Sequence, residues 1–488
     1  MKSSRFSSIG ALLCGVLFAT VTFGQYGQGS ALIYPERLRA DVEYFRKVIH
    51  GTHPDPYRYC TKEELDQVFM AVMDSVSRPM TREQFLFTLL PVFHRIGDAR
   101  SAPRLDEATE DLLKRHVSLL PLRVRVLDEG LYLDEELKGF QSFSPGSRIL
   151  SVNGIEAEQM LADLGRWVVT DGANESLRTR LVERDFHVLF AMTYGASESY
   201  VVEVMTPDRE RAKVTITGLT GEEIERSRKP VGPELQPWRS KWENDNSTLW
   251  FVMRSLTRAD LGRSKRSVSK AIDRMLAELE QEGAKTLVID LRGTQGGDPE
   301  VASQVFAAIA MAPFKLFQAM TTRHVTATNG EFAIVAPDDH YASVKDFEFP
   351  RSEDVAALRP GDDRLRLVQP HAKAFQGKVY VVCDGATRDV AAAFVMLGRR
   401  QGRVRVVGEE TGSNAASFTS GEELHVVAAN SGLRLDIPLV RSVPAGEPSG
   451  PSDRGEMPHH RATERPWGIA KGKDTIRSAL LEMIRELQ

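Results

Sequence analysis

The chain has 488 residues, 42% of them hydrophobic and 27% charged, which excludes a disordered or fibrous protein and leaves room for about three domains. Its net charge of −4 gives no footprint for a nucleic-acid partner. The most basic short stretch, Arg263 to Lys270, opens a predicted helix and reads as a solvated helix face.

The N-terminus carries Lys2 and Arg5, then an apolar run from Ile9 to Phe23 that ends at Gly24. That is the layout of a secretory signal peptide, residues 1–24, cleaved near Gly24. Cys14 follows Leu13, where a lipoprotein signal needs a small residue, so no lipid anchor is expected. No later stretch approaches the roughly 18 apolar residues of a spanning helix. The mature chain is therefore expected outside the cytoplasm, periplasmic or secreted, with no transmembrane segment. Cys60 and Cys383 remain after cleavage; the sequence leaves open whether they pair, although Cys383 reads as a buried strand position.

Residues 31–110 read as an N-terminal helical domain. Leu38, Val42, Phe45 and Ile49 repeat at helical spacing, as do Leu65, Phe69, Val72 and Met73 behind a capping box at Thr61 to Glu64. Thr81 to Gln84 opens a third helix through Phe85, Leu86, Leu89 and Phe93. His50 and His53 flank a turn and are expected to be structural, since a metal needs more ligands than this.

Residues 115–220 alternate apolar and polar from Val117 to Leu133 and from Tyr200 to Ile216, the mark of half-buried strands. Between them, Pro145-Gly146 and Asn153-Gly154 bracket a short apolar strand, ahead of a helix through Met160, Leu161 and Leu164. Residues 221–246, with Pro230, Pro233 and Pro237, read as a linker. From residue 247 to 488 strands and helices alternate: strands at 248–253, 286–291, 378–383 and 404–407, helices at 267–281 and 475–487. This pattern predicts an α/β layer domain.

Four ordered motifs carry a family resemblance. Asp290-Leu-Arg-Gly-Thr-Gln-Gly-Gly297 resembles the Asp-Leu-Arg-x-Asn-x-Gly-Gly turn of the tail-specific, or C-terminal processing, serine proteases. The run Val379 to Phe394 resembles their strand, turn and nucleophile helix, with Thr-x-Ser-Ala-Ala as its usual core. Val404 to Ser413 resembles their Ile-Gly-Glu-x-Thr-Gly turn, and Arg95 to Ser101 their Gly-Asp-x-His-Thr turn. Arg454 to His459 and Gly472 to Asp474 resemble the closing segment. The 115–220 region, on its Pro-Gly and Asn-Gly turns, resembles a PDZ domain.

The resemblance implies a multi-domain α/β protein: an N-terminal helical segment, a PDZ-like mixed β module and a ClpP/crotonase-like α/β protease-type domain. It implies an oxyanion hole from the backbone of Gly296, Gly297 and Val390, and peptides or protein C-terminal tails as partners, with an active protease or an envelope protein as a further partner. Neither cofactor nor metal is implied. Yet Asp389 stands where the family has its nucleophilic serine, and Arg100 where it has histidine. The lysine that some members carry about 25 residues after the serine is replaced by Asn414, while Glu409 or Glu410 keeps the acidic position. An arginine cannot take a proton from a nucleophile. The expected reading is a silent peptidase in which Arg100 and Asp389 form a bidentate ion pair. The alternatives are a hydrolase using Ser101, Ser413, Ser417 or an Asp389–Glu proton-sharing pair, and a structural envelope protein.

Overall fold

The computed structural model describes residues 31–128, 130–135, 143–227, 236–262, 265–323, 346–348, 355–359 and 361–487. The expected signal peptide lies outside the described residues. Among those residues no helix is long and apolar enough to cross a membrane.

Three helices come first, Pro35–Thr52, Lys62–Ser75 and Arg82–Ile96. Thr61 and Thr81 both close full capping boxes, with Glu64 and Gln84 reaching back to the N-cap amides. An antiparallel sheet follows, built on Arg123–Leu127, Gly130–Glu135, Arg148–Val152, Ser199–Met205 and Arg211–Thr217, with helices Ala157–Gly165 and Glu175–Tyr194.

The α/β layer is a sheet in the order His460–Arg461, Arg405–Gly408, Lys378–Cys383, Thr286–Asp290, Thr248–Met253, Trp238–Glu243. All neighbours are parallel except the last, which runs antiparallel. Its strands read as apolar runs because both faces are covered. Leu249 and Phe251 face the helices Lys265–Gln281, Pro299–Ala307 and Val390–Arg400; Trp250 and Val252 face Ile476, Leu480 and Ile484 of the last helix.

Two features depart from the sequence reading. The stretch expected to be a linker holds a helix, Gly221–Ser227, and the edge strand Trp238–Glu243. The three domains also do not keep separate cores. A third sheet contains the long hairpin Phe418–Val427 and Arg434–Pro444, and its second strand pairs with Pro103–Arg104. Leu424, Val426, Leu435 and Ile437 of this hairpin share one core with Phe45, Phe85 and Phe93 of the first helices and with Val124 and Val202 of the middle sheet. Asp41 fastens the union, accepting from the amides of Asn430 and Ser431 and from the Asn430 side chain at 2.6–3.3 Å.

The Asp-Leu-Arg motif is a structural clasp. Arg292 grips Asp290 through two bonds of 3.0 and 2.7 Å and Asp474 through two of 3.1 and 2.6 Å, joining the sheet to the closing segment. Asp290 is 2% exposed, so removing its partner strands a buried carboxylate. Arg292→Ala should lower stability by about 3–5 kcal/mol in chemical denaturation; a loss under about 1 kcal/mol would show that the clasp is dispensable.

Candidate functional site

The strand Lys378–Cys383 delivers the chain into a tight turn and then into the helix Val390–Arg400. Asp389 is the N-cap, with φ +56° and ψ −124°. A side-chain-bearing residue in that region is strained by about 1–3 kcal/mol, and such strain persists where surrounding contacts enforce it. Here the Asp389 amide donates to Ser413 Oγ at 2.8 Å, Arg388 N donates to Thr294 O, and Gly412 N donates to Thr387 O. The carboxylate is thereby held at the mouth of the helix, only 6% exposed.

Arg100 arrives from the other end of the sequence. The helix Arg82–Ile96 ends at Gly97 in the left-handed conformation, where a Cβ would lie 2.7 Å from the Tyr59 ring. Asp98 then pins the turn. It accepts from the Arg100 amide at 2.9 Å, from Thr419 Oγ1 at 2.8 and 2.9 Å, and from Ser101 Oγ at 3.1 Å, and it contacts His53 Nε2 at 2.9 Å. Burial works to raise its carboxyl, but the His53 hydrogen bond, the Arg58 charge and the Arg100 amide hold it below the usual carboxylate range.

From this turn the Arg100 guanidinium spans two carboxylates. Nη1 donates to Asp389 Oδ2 at 3.1 Å; Nη2 donates to Glu423 Oε1 at 2.6 Å and to Gly421 O at 3.3 Å. The expected bidentate pair is therefore a bridge, with one prong on each acid. Burial works to lower the guanidinium, but Asp389, Glu423 and Asp98 outweigh it and raise it above its ordinary value. It does not release a proton at any physiological pH.

The glycines that the resemblance assigns to an oxyanion hole lie close to the same helix. Gly296 and Gly297 have φ of +65° and +117°, and a Cβ on Gly297 would lie 3.5 Å from Val390 Cβ and 2.6 Å from Leu256 Cβ. The amides of Gly296, Gly297 and Val390 have no acceptor among the described residues. Backbone amides without acceptors beside a helix N-terminus are the kind of donors that anions take.

Other predicted site residues are spent elsewhere. Glu409 accepts from Arg180 Nε at 3.1 Å, pairs with its Nη2, and accepts from the Gly385 amide. Glu410 takes Arg454 through bonds of 2.9 and 2.5 Å and the Gly455 amide at 2.7 Å. Asn414 donates to Tyr59 Oη and Ser452 O, both at 2.7 Å. The glutamate beside Asp389 is instead Glu423, which sequence reading missed. Only the pairing of Phe418–Val427 with Arg434–Pro444, and its irregular register between Ser420 and Glu423, brings it there.

The candidate serines are also engaged. Ser417 Oγ accepts from Arg441 Nε at 3.2 Å, and Ser413 Oγ holds the Asp389 amide. Ser101 Oγ lies 2.9 Å from His53 Nε2, but His53 Nδ1 accepts the Asp55 amide at 3.1 Å, so Nε2 bears the proton. That imidazole cannot take a proton from Ser101, and both residues are fully buried.

His50 bonds Tyr57 Oη at 2.6 Å and Asp66 at 2.9 Å, a structural role. Cys60 and Cys383 are free thiols. One group has metal-ligand chemistry: Glu423, His425 and Asp436 bring ligand atoms within 4.8 Å of one another. Arg100 already holds Glu423, while Arg434 and Arg104 lie against Asp436 at 3.1 and 3.6 Å. These arginines take the carboxylates that a cation would need.

Residues 257–442 match the model of Peptidase family S41. No curated protein sequence matches the chain. Among solved structures, mature CPAF aligns with a TM-score of 0.62 at 12% identity, covering 93% of this chain and 97% of that one. Mature CPAF complexed with lactacystin gives 0.63 at 11% identity over 93% and 98%. The photosystem II D1 C-terminal processing protease gives 0.41 at 12% identity over 90% and 98%.

Two measurements probe this geometry. Asp389→Ala leaves a strained φ and a half-partnered guanidinium and should cost about 3 kcal/mol. Asp389→Gly should cost less, because glycine relieves the strain at φ +56°; equal losses would show that the turn is unstrained. The second concerns Asp171, which is fully buried and pushed up to about 6, chiefly by burial and by the charge of Asp98, against Arg388 and Arg58. A carboxyl raised on folding binds more protons in the native state. Its contribution to stability is therefore greatest near pH 4 and is lost as pH rises through about 6. Asp171→Asn should flatten the denaturation profile between about pH 4 and 7; an unchanged profile would remove Asp171 as its cause.

The ordered motifs and the family match agree on one conclusion: residues 257–442 match peptidase family S41, in a chain whose fold is similar to that of mature CPAF.

Proposed function

We propose that the chain is an exported, catalytically silent relative of the S41 peptidases that binds peptides or protein tails. One observation carries the reading: Arg100 lies 3.1 Å from a carboxylate at the strained elbow where the family places its serine. Acyl transfer needs a nucleophile that loses a proton and a base that gains it. Position 389 offers no hydroxyl, the neighbouring Ser413 Oγ is held by the Asp389 amide, and the facing cation has no lone pair to offer. Peptide binding is supported by the amides without acceptors at Gly296, Gly297 and Val390, and by the middle sheet, which we read as PDZ-like. Such modules take an extended peptide as an added strand. Export rests on the basic and apolar layout of residues 1–24.

A second reading, a hydrolase with Asp389 as nucleophile, draws on the same strained φ of +56° and the three amides without acceptors. It would require Arg100 to be drawn off first, then carboxylate attack on a peptide carbonyl with the C–N bond breaking and the amine leaving with a proton from water, and lastly hydrolysis of the anhydride by water to two carboxylic acids.

Incubation with a fluorescent serine-directed phosphonate, beside a casein digest, should give neither labelling nor cleavage. Weak labelling is expected only in the double variant Arg100→His with Asp389→Ser. Casein cleavage by the unaltered protein, lost in Asp389→Asn, would replace the silent reading with the second one.

A further inference from the structure

A cavity of about 690 Å³ opens at the carboxyl ends of the parallel strands Thr248–Met253, Thr286–Asp290, Lys378–Cys383 and Arg405–Gly408. Its far wall comes from the middle sheet at Arg123 and Arg125 and from the helix Glu175–Tyr194. Crevices at this edge of an open α/β sheet are the usual ligand sites of such folds.

Most charges lining it are matched. Arg292 is clasped by Asp290 and Asp474; Arg180 by Glu183 and Glu409; Arg125 by Glu183 and Asp134. Two cations are not. Arg388 is 9% exposed, and among the described residues its guanidinium makes neither hydrogen bond nor ion pair. Asp171 acts on it through space alone. Its Nε is sealed from solvent without an acceptor. The absence of a side chain at Gly412 gives its stem room: a Cβ there would lie 2.8 Å from Arg388 Cγ. Lys473, on the exposed rim, also has no ion-pair partner among the described residues.

A buried arginine without a partner destabilises a fold unless something outside the chain completes it. Arg388 follows Thr387, whose hydroxyl is tied to Leu291 O at 2.8 Å, so the residue is set firmly beside the cavity. We infer that the cavity is a binding site for a carboxylate-bearing peptide, with Arg388 gripping one carboxylate as a fork and Lys473 attracting a second charge at the rim. The inference deepens the peptide-binding reading and rests on it. The carboxylate is either a chain terminus or an acidic side chain, two sources of one chemistry.

Fluorescence anisotropy on the full chain tests it. The probes are fluorescein-labelled hexapeptides alternating alanine with aspartate or with asparagine, each with a free or amidated C-terminus. The aspartate peptide with a free terminus should bind. Arg388→Met should weaken it at least tenfold, and Lys473→Ala about threefold. Arg388→Met should melt no lower than the parent, and Arg388→Gln is the second variant should it not fold. Loss on amidation alone assigns the terminal carboxylate, and loss on exchange to asparagine alone assigns the side chain; either supports the site. Equal affinity of all four peptides, unmoved by Arg388→Met, overturns the anion site and leaves peptide binding standing. Binding of free tricarballylate that is lost in Arg388→Met, with no peptide bound, keeps the anion site and ends the peptide reading. Failure of every probe to bind overturns the inference.

Discussion

The guanidinium of Arg100 is the point on which the site depends. It reaches from the turn after the third helix to the elbow at Asp389, 289 residues away in sequence, and to Glu423 on the long hairpin. One cation between two carboxylates compensates charges that would otherwise face each other at close range. It joins three parts of the chain that are far apart in sequence. The pair forms a fixed contact at the two positions where the sequence resemblance places a histidine and a serine.

The scaffold around this contact has a fold similar to that of mature CPAF. The strained φ at Asp389 and the close approach of Gly297 to Leu256 persist because surrounding contacts enforce them. Much of what resembles a family motif is structural fastening. Asp290 and Arg292 clasp the closing segment through Asp474. Glu410 holds Arg454, and the Glu456 amide meets Thr411 Oγ1 at 2.9 Å. These ties give the motif residues a structural role of their own.

The apolar runs at 248–253, 286–290 and 378–383 were legible because a parallel sheet covered on both faces permits little else. The capping boxes at Thr61 and Thr81 were legible because their chemistry is local. The hairpin Phe418–Val427 and Arg434–Pro444 escaped notice. Pro438 interrupts its second strand, and the irregularity near Ser420 breaks the alternation of the first. That miss hid Glu423, and with it the difference between a bidentate pair and a bridge. It also hid the common core that fuses the first helices, the middle sheet and the hairpin. Arg388 was invisible for another reason: only the three-dimensional surroundings reveal that a buried charge lacks a partner.

The central claim is that Arg100 and Asp389 are energetically coupled as a pair that replaces catalysis. A double-mutant cycle of Arg100→Ala and Asp389→Ala, read by urea denaturation, measures that coupling directly. A coupling of about 1–3 kcal/mol is predicted. Additive losses, within about 0.3 kcal/mol, would contradict it and show two independent substitutions sharing a neighbourhood.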